Sequence, residues 1–134
     1  MQYMTARNKW EVKDHRRLKW YDKRYGQVTG TKKVFEKARQ ELQPILDDFF
    51  TKRDRKYLPG RALGDPPEYD PKEEEIVTTI QKSSKRIEIE TVRTGQHRLG
   101  FRYLYVLFKQ DNEWRLDSRK AYHKFKDGWS TITL

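Results

Sequence analysis

A carboxylate and two phenols are the candidates for chemistry in this sequence. Asp117 ends a short run that alternates apolar and charged residues. If Asp117 lies in a pocket with Tyr103 and Tyr105 of the preceding apolar run, its carboxylate can act as a general base or bind a small ligand. The alternative is a structural carboxylate that pairs with an arginine on its own or a neighbouring strand, namely Arg102, Arg115 or Arg119.

Sequence motifs for metals and nucleophiles are absent. The three histidines, His15, His97 and His123, are far apart, and no HExxH pair, EF-hand loop or glycine-rich phosphate loop occurs. The chain has no cysteine, which excludes disulfides, cysteine-ligated zinc and thiol nucleophiles. These absences predict no metal and no cofactor, and they single out no catalytic residue.

Two segments combine aromatic rings with basic side chains. The N-terminal segment, residues 1–30, contains Trp20, Tyr21 and Arg24, and a second segment spans residues 119–126. Rings can stack on bases while lysines and arginines contact phosphates, so both segments fit a nucleic-acid surface. The alternative for the first segment, which we favour, is a helix whose rings pack in the core and whose charges face water.

The charge balance restricts the class of partner. The chain has 30 Lys and Arg against 20 Asp and Glu, a formal charge of +10. This charge favours nucleic acid, an anionic membrane surface or an acidic protein. Residues 1–7 lack the apolar region of a signal peptide, and no apolar run approaches the roughly 20 residues needed to span a bilayer. We expect a soluble, cytoplasmic protein without membrane contact.

The C-terminal third predicts an antiparallel sheet with one wet face. Residues 101–108 are a run of aromatic and branched side chains, typical of a strand packed on at least one face. A polar tip, 109–112, separates this run from residues 113–118 and indicates a hairpin, in which Trp114 and Leu116 would face inward. An Asp-Gly turn at 127–128 then leads into a short last strand at 129–134.

The segment before this hairpin allows two interpretations. Acidic residues after Pro71 resemble a helix start, whereas the β-branched run 76–80 favours a strand, and for residues 71–83 we predict the strand. Residues 86–93 alternate apolar and charged side chains, which predicts a half-buried strand.

Two helices are predicted upstream. Residues 7–26 fit a helix with an aromatic stripe, and the glycines of 26–30 should interrupt the chain. Apolar residues recur every three or four positions over 31–50, with Thr31 as a candidate N-cap. Pro44 should kink this helix or make it restart one residue earlier.

The remaining segment, residues 57–71, is rich in proline and glycine and predicts an extended loop. The chain on either side of this loop is too short to form a separate domain readily, so we do not interpret the loop as a domain boundary. We therefore predict a single α+β domain, residues 1–134, with N-terminal helices packed on a curved antiparallel sheet of four to five strands.

The C-terminal pattern resembles the NTF2-fold immunity proteins of bacterial polymorphic toxin systems. The similarity lies in the strand Phe-Arg-Tyr-Leu-Tyr-Val-Leu at 101–107, the segment Asp-Asn-Glu-Trp-Arg-Leu-Asp-Ser at 111–118, and Asp-Gly-Trp at 127–129. It covers approximately residues 68–134, and its Trp-Arg-Leu strand is also common in the wider NTF2-like superfamily. The resemblance implies a cone-shaped α+β domain that is not an enzyme and that binds and neutralises a cognate toxin domain by direct contact.

The resemblance also raises a question about charge. Many such toxins attack nucleic acid, and inhibitors of basic nucleases are usually acidic, which a chain of charge +10 is not. Either the toxin surface is acidic, or residues 73–75 with Glu88 and Glu90 form a local acidic patch. Interfaces depend on aromatic and arginine anchors, and the predicted partner-binding residues are Trp20, Tyr21, Arg24, Arg115, Arg119 and Tyr122.

Two other functions remain open at this point. A basic nucleic-acid-binding module would lose affinity steeply with salt. An NTF2-like enzyme or small-ligand binder would use the pocket of Tyr103, Tyr105 and Asp117. The immunity protein is the preferred interpretation.

Overall fold

In the part of the chain that it describes, the computed structural model contains two helices and five strands. It describes residues 2–25, 27–53, 55, 69–96 and 98–134, and the side chains of these except 17–25 and 27–35. The chain divides into two compact units. The first comprises Met1–Asp48 with Gly60–Pro71, and the second comprises Phe49–Pro59 with Lys72–Leu134. The Pro/Gly-rich loop predicted at 57–71 lies largely outside the described residues.

The first unit contains both helices, α1 (Gln2–Tyr25) and α2 (Gln27–Phe49). Trp10 on α1 is 3% exposed, and its indole Nε1 donates a hydrogen bond of 2.7 Å to the Ala38 carbonyl of α2. Together with Leu42, these two residues form a small buried cluster. Of the two interpretations of the N-terminal segment, Trp10 therefore fits the helix whose rings pack in the core.

The start and middle of α2 differ from the prediction. The helix begins at Gln27 rather than Thr31, so Thr31 is not the N-cap. Gly30 costs only about 1 kcal/mol relative to alanine in a helix, which tertiary packing can offset. Pro44 lies inside the continuous helix, so the predicted restart does not occur.

The second unit is a five-stranded sheet in the order β1-β2-β3-β4-β5, with every neighbouring pair antiparallel. The strands are β1 (Glu74–Ser83), β2 (Arg86–Arg93), β3 (Arg102–Gln110), β4 (Glu113–His123) and β5 (Gly128–Ile132). The strand predicted within residues 71–83 is confirmed, as are the α+β class and the strand count. The hairpin tip is also confirmed, because Asp111 and Asn112 have φ of 50° and 62°, the left-handed values of a tight two-residue turn.

Strand register defines the two faces of the sheet. Tyr105 pairs with Ile89 on one side and Arg119 on the other, and we call the side that bears these residues the tyrosine face. The opposite side bears Arg102 and is called the arginine face. On β2 the predicted alternation is confirmed, because the isoleucines and Glu90 lie on opposite faces.

Strand β4 departs from simple alternation. Val106 pairs with Ser118 but Leu107 pairs with Leu116, so Asp117 is an extra residue that forms a β-bulge. Leu116 is 3% exposed, whereas Trp114 is 36% exposed. Register places both side chains on one face, as the alternation predicts, but only Leu116 is buried, because Trp114 lies near the exposed tip of the hairpin.

Candidate partner-binding surface

Buried polar side chains connect the first four strands on the tyrosine face. We call Glu74, Thr91, Arg93, Tyr105 and Arg119 the Glu74 cluster. One carboxylate oxygen of Glu74, Oε2, accepts hydrogen bonds of 2.9 Å from the Thr91 hydroxyl and the Tyr105 phenol. Its other oxygen lies 3.5 Å from the guanidinium of Arg93, and both side chains are 1% exposed. Two hydrogen bonds and one ion pair of the Glu74 carboxylate therefore connect β1 to β2 and β3.

Arg119 extends this cluster to the edge of the sheet. Its guanidinium lies 5.0 Å from the ring centroid of Tyr103 and donates a hydrogen bond of 2.9 Å to the Thr133 carbonyl. The positive charge of Arg119 also interacts with the phenol of Tyr105 and affects its pKa. Burial raises the pKa of Tyr105 well above the usual value near 10, and the positive charge of Arg119 opposes this rise. Tyr105 is therefore a permanent hydrogen-bond donor at neutral pH.

The raised pKa predicts an alkaline loss of stability. Above pH 10 the unfolded chain loses the Tyr105 proton while the folded chain keeps it, so the contribution of this group falls as pH rises. In chemical denaturation, we expect the free energy of unfolding of the wild type to fall more steeply above pH 10 than that of Tyr105→Phe. The difference should reach up to about 1.4 kcal/mol per pH unit. Identical slopes would contradict burial of a protonated Tyr105.

Asp117 anchors the segment that follows α2. Its Oδ1 accepts hydrogen bonds from the Thr51 hydroxyl at 2.7 Å and from Arg53 Nε at 2.8 Å. The Asp117 carbonyl accepts from Arg53 and Arg55, and the Thr51 amide donates to the Leu116 carbonyl. We call Thr51, Arg53, Arg55 and Asp117 the Asp117 clasp. The expectation of a structural carboxylate fits, but its partners lie on this segment and not on the strands.

The clasp should contribute measurably to stability. Asp117→Asn keeps the side-chain shape but removes the charge that accepts from Arg53. Because Arg53 is 46% exposed, we expect a loss of about 1–2 kcal/mol in the free energy of unfolding, at the lower end for a charged hydrogen bond. Asp111→Asn at the exposed hairpin tip is the matched control and should change stability little. Equal denaturation midpoints for the two variants would exclude an energetic role for the clasp.

An accessible group of aromatic and charged residues lies on the arginine face. We call Arg102, Tyr122 and Trp129, with the carboxylates of Glu90 and Asp127, the Arg102 cluster. The guanidinium of Arg102 lies 4.5 Å from the ring centroid of Tyr122 and 5.4 Å from that of Trp129. The two rings meet edge to face with centroids 5.4 Å apart. These contacts hold three large side chains in one arrangement across β3, β4 and β5.

Both carboxylates orient the same cluster. Glu90 accepts a hydrogen bond of 2.8 Å from Arg102 Nε, and the Arg102 side chain is still 42% exposed. The phenol of Tyr122 donates to Asp127, and this hydrogen bond raises the pKa of Tyr122. The cluster thus presents oriented rings and an exposed cation, a combination suited to contact with a protein surface.

The predicted C-terminal contact residues lie in different environments. Tyr122 is in the accessible Arg102 cluster. The Arg119 residue is 2% exposed and the Arg115 side chain is 13% exposed, where it donates to the Phe50 carbonyl at 3.2 Å and to Glu113 at 3.0 Å. A partner could reach Arg119 only if neighbouring residues moved. The side chains of the N-terminal candidates, Trp20, Tyr21 and Arg24, lie outside the described residues.

The predicted pocket residues are not brought together by the observed contacts. Tyr103 and Tyr105 contact Arg119 on the tyrosine face, whereas the carboxylate of Asp117 contacts Thr51 and Arg53. Within the part of the chain that the structure describes, no group of three or more acidic or histidine side chains could hold a metal ion. Nor does that part include a helix long and apolar enough to cross a membrane.

Sequence reasoning did not select Arg102 and Trp129 as contact residues. The available signal was Arg102, the one charge within the apolar run 101–108. The register of the strands makes Arg102 and the two rings neighbours. Tyr103 pairs with Ala121, which places Arg102 beside Tyr122, and Tyr122 in turn pairs with Trp129. Register between strands is set by the fold and is not visible in local sequence.

Comparison with known proteins covers almost the whole chain. A family model described as NTF2 fold immunity protein matches residues 1–132. Immunity protein RhsIA of Dickeya dadantii (strain 3937) is 31% identical over 137 residues, which covers 99% of this chain and 91% of that protein. No solved structure matches the chain.

Proposed function

We propose that this chain, which belongs to the family of NTF2-fold immunity proteins, binds its cognate toxin domain directly and blocks it. Membership of the family makes it an immunity protein against a toxin. The resemblance predicted from the C-terminal pattern is confirmed and extends to the N-terminal helices. The family does not favour the nucleic-acid module or the ligand-binding enzyme. The observation that carries the proposed mode of action is the Arg102 cluster, whose two rings are half-buried and whose arginine side chain is 42% exposed on the arginine face.

The composition of the Arg102 cluster supports a contact role. Trp, Tyr and Arg are the residue types most enriched among the side chains that dominate binding energy at interfaces. Here one of each is already oriented by ring contacts and by Glu90, so binding would order few additional side chains. We propose that Arg102, Tyr122 and Trp129 form the centre of the toxin contact. Trp20, Tyr21 and Arg24 of α1 remain further proposed contacts, as do Arg115 and Arg119.

The charge pattern supports an acidic surface on the toxin. Four of the five carboxylates that could have formed an acidic patch are paired with neighbouring cations. Glu73 and Glu74 lie beside Arg93, Glu88 lies beside Lys82 and Arg86, and Glu90 lies beside Arg102. The chain as a whole carries +10. Association with an acidic toxin surface would therefore be steered by charge and slowed by salt.

We propose that the protein neutralises the toxin by occupying its surface and not by a chemical reaction, because the candidate acid Asp117 is engaged in the Asp117 clasp. Residues 1–134 act as one NTF2-like domain, which the match of one family model to residues 1–132 supports. The protein acts in the cytoplasm, where it would meet a toxin made by its own cell or delivered by a related one.

Co-expression tests the proposed function. Candidate toxin domains encoded in the same genome are expressed one at a time in cells with or without the affinity-tagged protein. We expect that growth is restored for one toxin and that this toxin co-purifies with the tagged protein. Restored growth without a recoverable complex would contradict neutralisation by direct contact.

A further inference from the structure

Among the residues that the structure describes, no strand pairs with the outer side of β1, which forms an open edge of the sheet along nearly its whole length. Strand β1 has ten residues, and all but Glu74 are exposed. The exposed fractions of its large apolar residues are 55% for Ile76, 55% for Val77 and 49% for Ile80. The opposite edge, β5, has only five residues, of which four are half-buried. The two edges therefore differ in how much unpaired backbone they offer.

Only part of the usual protection of an edge strand is present in β1, namely Lys82 and the β-bulges at Val77 and Lys82. Proteins normally place lysine or proline along an exposed edge, because its free N–H and C=O groups can pair with another strand. Residues 76–81 contain neither, carry no charge and are β-branched at every position but Gln81. The bulges at Val77 and Lys82 leave the segment between them in regular register with β2. This regular segment is available for pairing on its outer side.

The ends of β1 indicate what would pair with it. Its N-terminal end carries the exposed acid Glu75, and its C-terminal end leads to the exposed cations Lys82 and Lys85. When two copies of such a strand pair antiparallel, the acidic end of each lies beside the basic end of the other. The charge pattern is therefore self-complementary. We infer that β1 pairs with β1 of a second copy of this chain and joins the two sheets into one.

The geometry of this pairing follows from a two-fold axis. If the axis passes between the two copies of Thr79, Thr78 lies opposite the second copy's Ile80, and both are on the same face, as an antiparallel pair requires. Every contact occurs twice in such an interface, so small contributions are doubled. The three large side chains of the Arg102 cluster, Arg102, Tyr122 and Trp129, lie on β3, β4 and β5, and only its carboxylate Glu90 is on β2, so pairing at β1 and toxin binding can be measured separately.

Cysteine cross-linking tests the pairing directly, because the wild-type chain contains no cysteine. Opposite residues of antiparallel strands are roughly 4.5–5.5 Å apart between Cα atoms, within the roughly 4.4–6.8 Å range of disulfides. We expect Thr79→Cys to form a disulfide-linked dimer under mild oxidation. Thr131→Cys, at the exposed position of the other edge strand, is the matched control and should remain largely monomeric. Equal cross-linking of both variants would overturn the inference.

Sedimentation of the purified protein provides an independent test. We expect a concentration-dependent dimer whose dissociation constant rises about tenfold in Glu75→Lys and in Lys85→Glu, and recovers in the double variant. A wild-type protein that stays monomeric at all concentrations would overturn the inference. So would protection of the β1 amides from hydrogen exchange only after toxin is added, since that result would assign the edge to the toxin.

Discussion

Glu74→Ala is expected to lower the free energy of unfolding by about 3–5 kcal/mol, the cost of removing one partner from a buried ion pair. The side chains of Glu74 and Arg93 are each 1% exposed. Alanine would also remove the acceptor for the Thr91 hydroxyl and the Tyr105 phenol. Three strands would lose their shared polar contact at once.

The neighbouring residue provides the control. Glu75→Ala removes an exposed carboxylate from the same strand and, at concentrations low enough to keep the chain monomeric, should change stability by no more than about 0.5 kcal/mol. Chemical denaturation of both variants measures the difference. If Glu74→Ala destabilised the protein no more than Glu75→Ala, the Glu74 cluster would not hold the sheet together.

The second large effect concerns the toxin. We expect Trp129→Ala to weaken binding about 30-fold or more, as for an interface residue that contributes at least about 2 kcal/mol. The ring of Trp129 packs edge to face on Tyr122 and lies 5.4 Å from the guanidinium of Arg102. Its loss would remove one anchor and leave the other two less well oriented. Calorimetric titration with the toxin domain measures the change.

Another tryptophan of the same sheet controls for general effects. Trp114 is 36% exposed and lies near the β3–β4 turn, at the other end of the sheet from Trp129. Trp114→Ala should leave toxin affinity within about threefold of the wild type, a change below 1 kcal/mol. Unfolding curves identify any variant that is simply unfolded. Equal losses of affinity in the two folded variants would exclude the Arg102 cluster as the centre of the contact.

The strands were the most predictable part of the fold. Alternation at 86–93 and the polar tip at 109–112 are local signals, and they correctly predicted β2 and the β3–β4 hairpin. The β-branched residues of 76–80 outweighed the helix-like start before them. The family resemblance could be recognised from the sequence because it depends on the same strand and turn residues.

The polar clusters could not be predicted because they depend on register between strands. Glu74 is one of three consecutive glutamates, and nothing local distinguishes the buried one from its neighbours. The bulge at Asp117 changes which residues of β4 share a face, and it has no signature in the sequence around it. The start of α2 differs from the prediction for another reason, since a single glycine such as Gly30 is only a weak signal against a helix.

The stoichiometry of neutralisation tests the central claim most directly. Purified toxin domain is titrated with the purified protein while toxin activity and complex formation are measured in the same samples. Neutralisation by occupancy predicts that activity falls in proportion to the complex and reaches its minimum at one toxin domain per chain. Inactivation by a small fraction of one equivalent, with no matching complex, would contradict it.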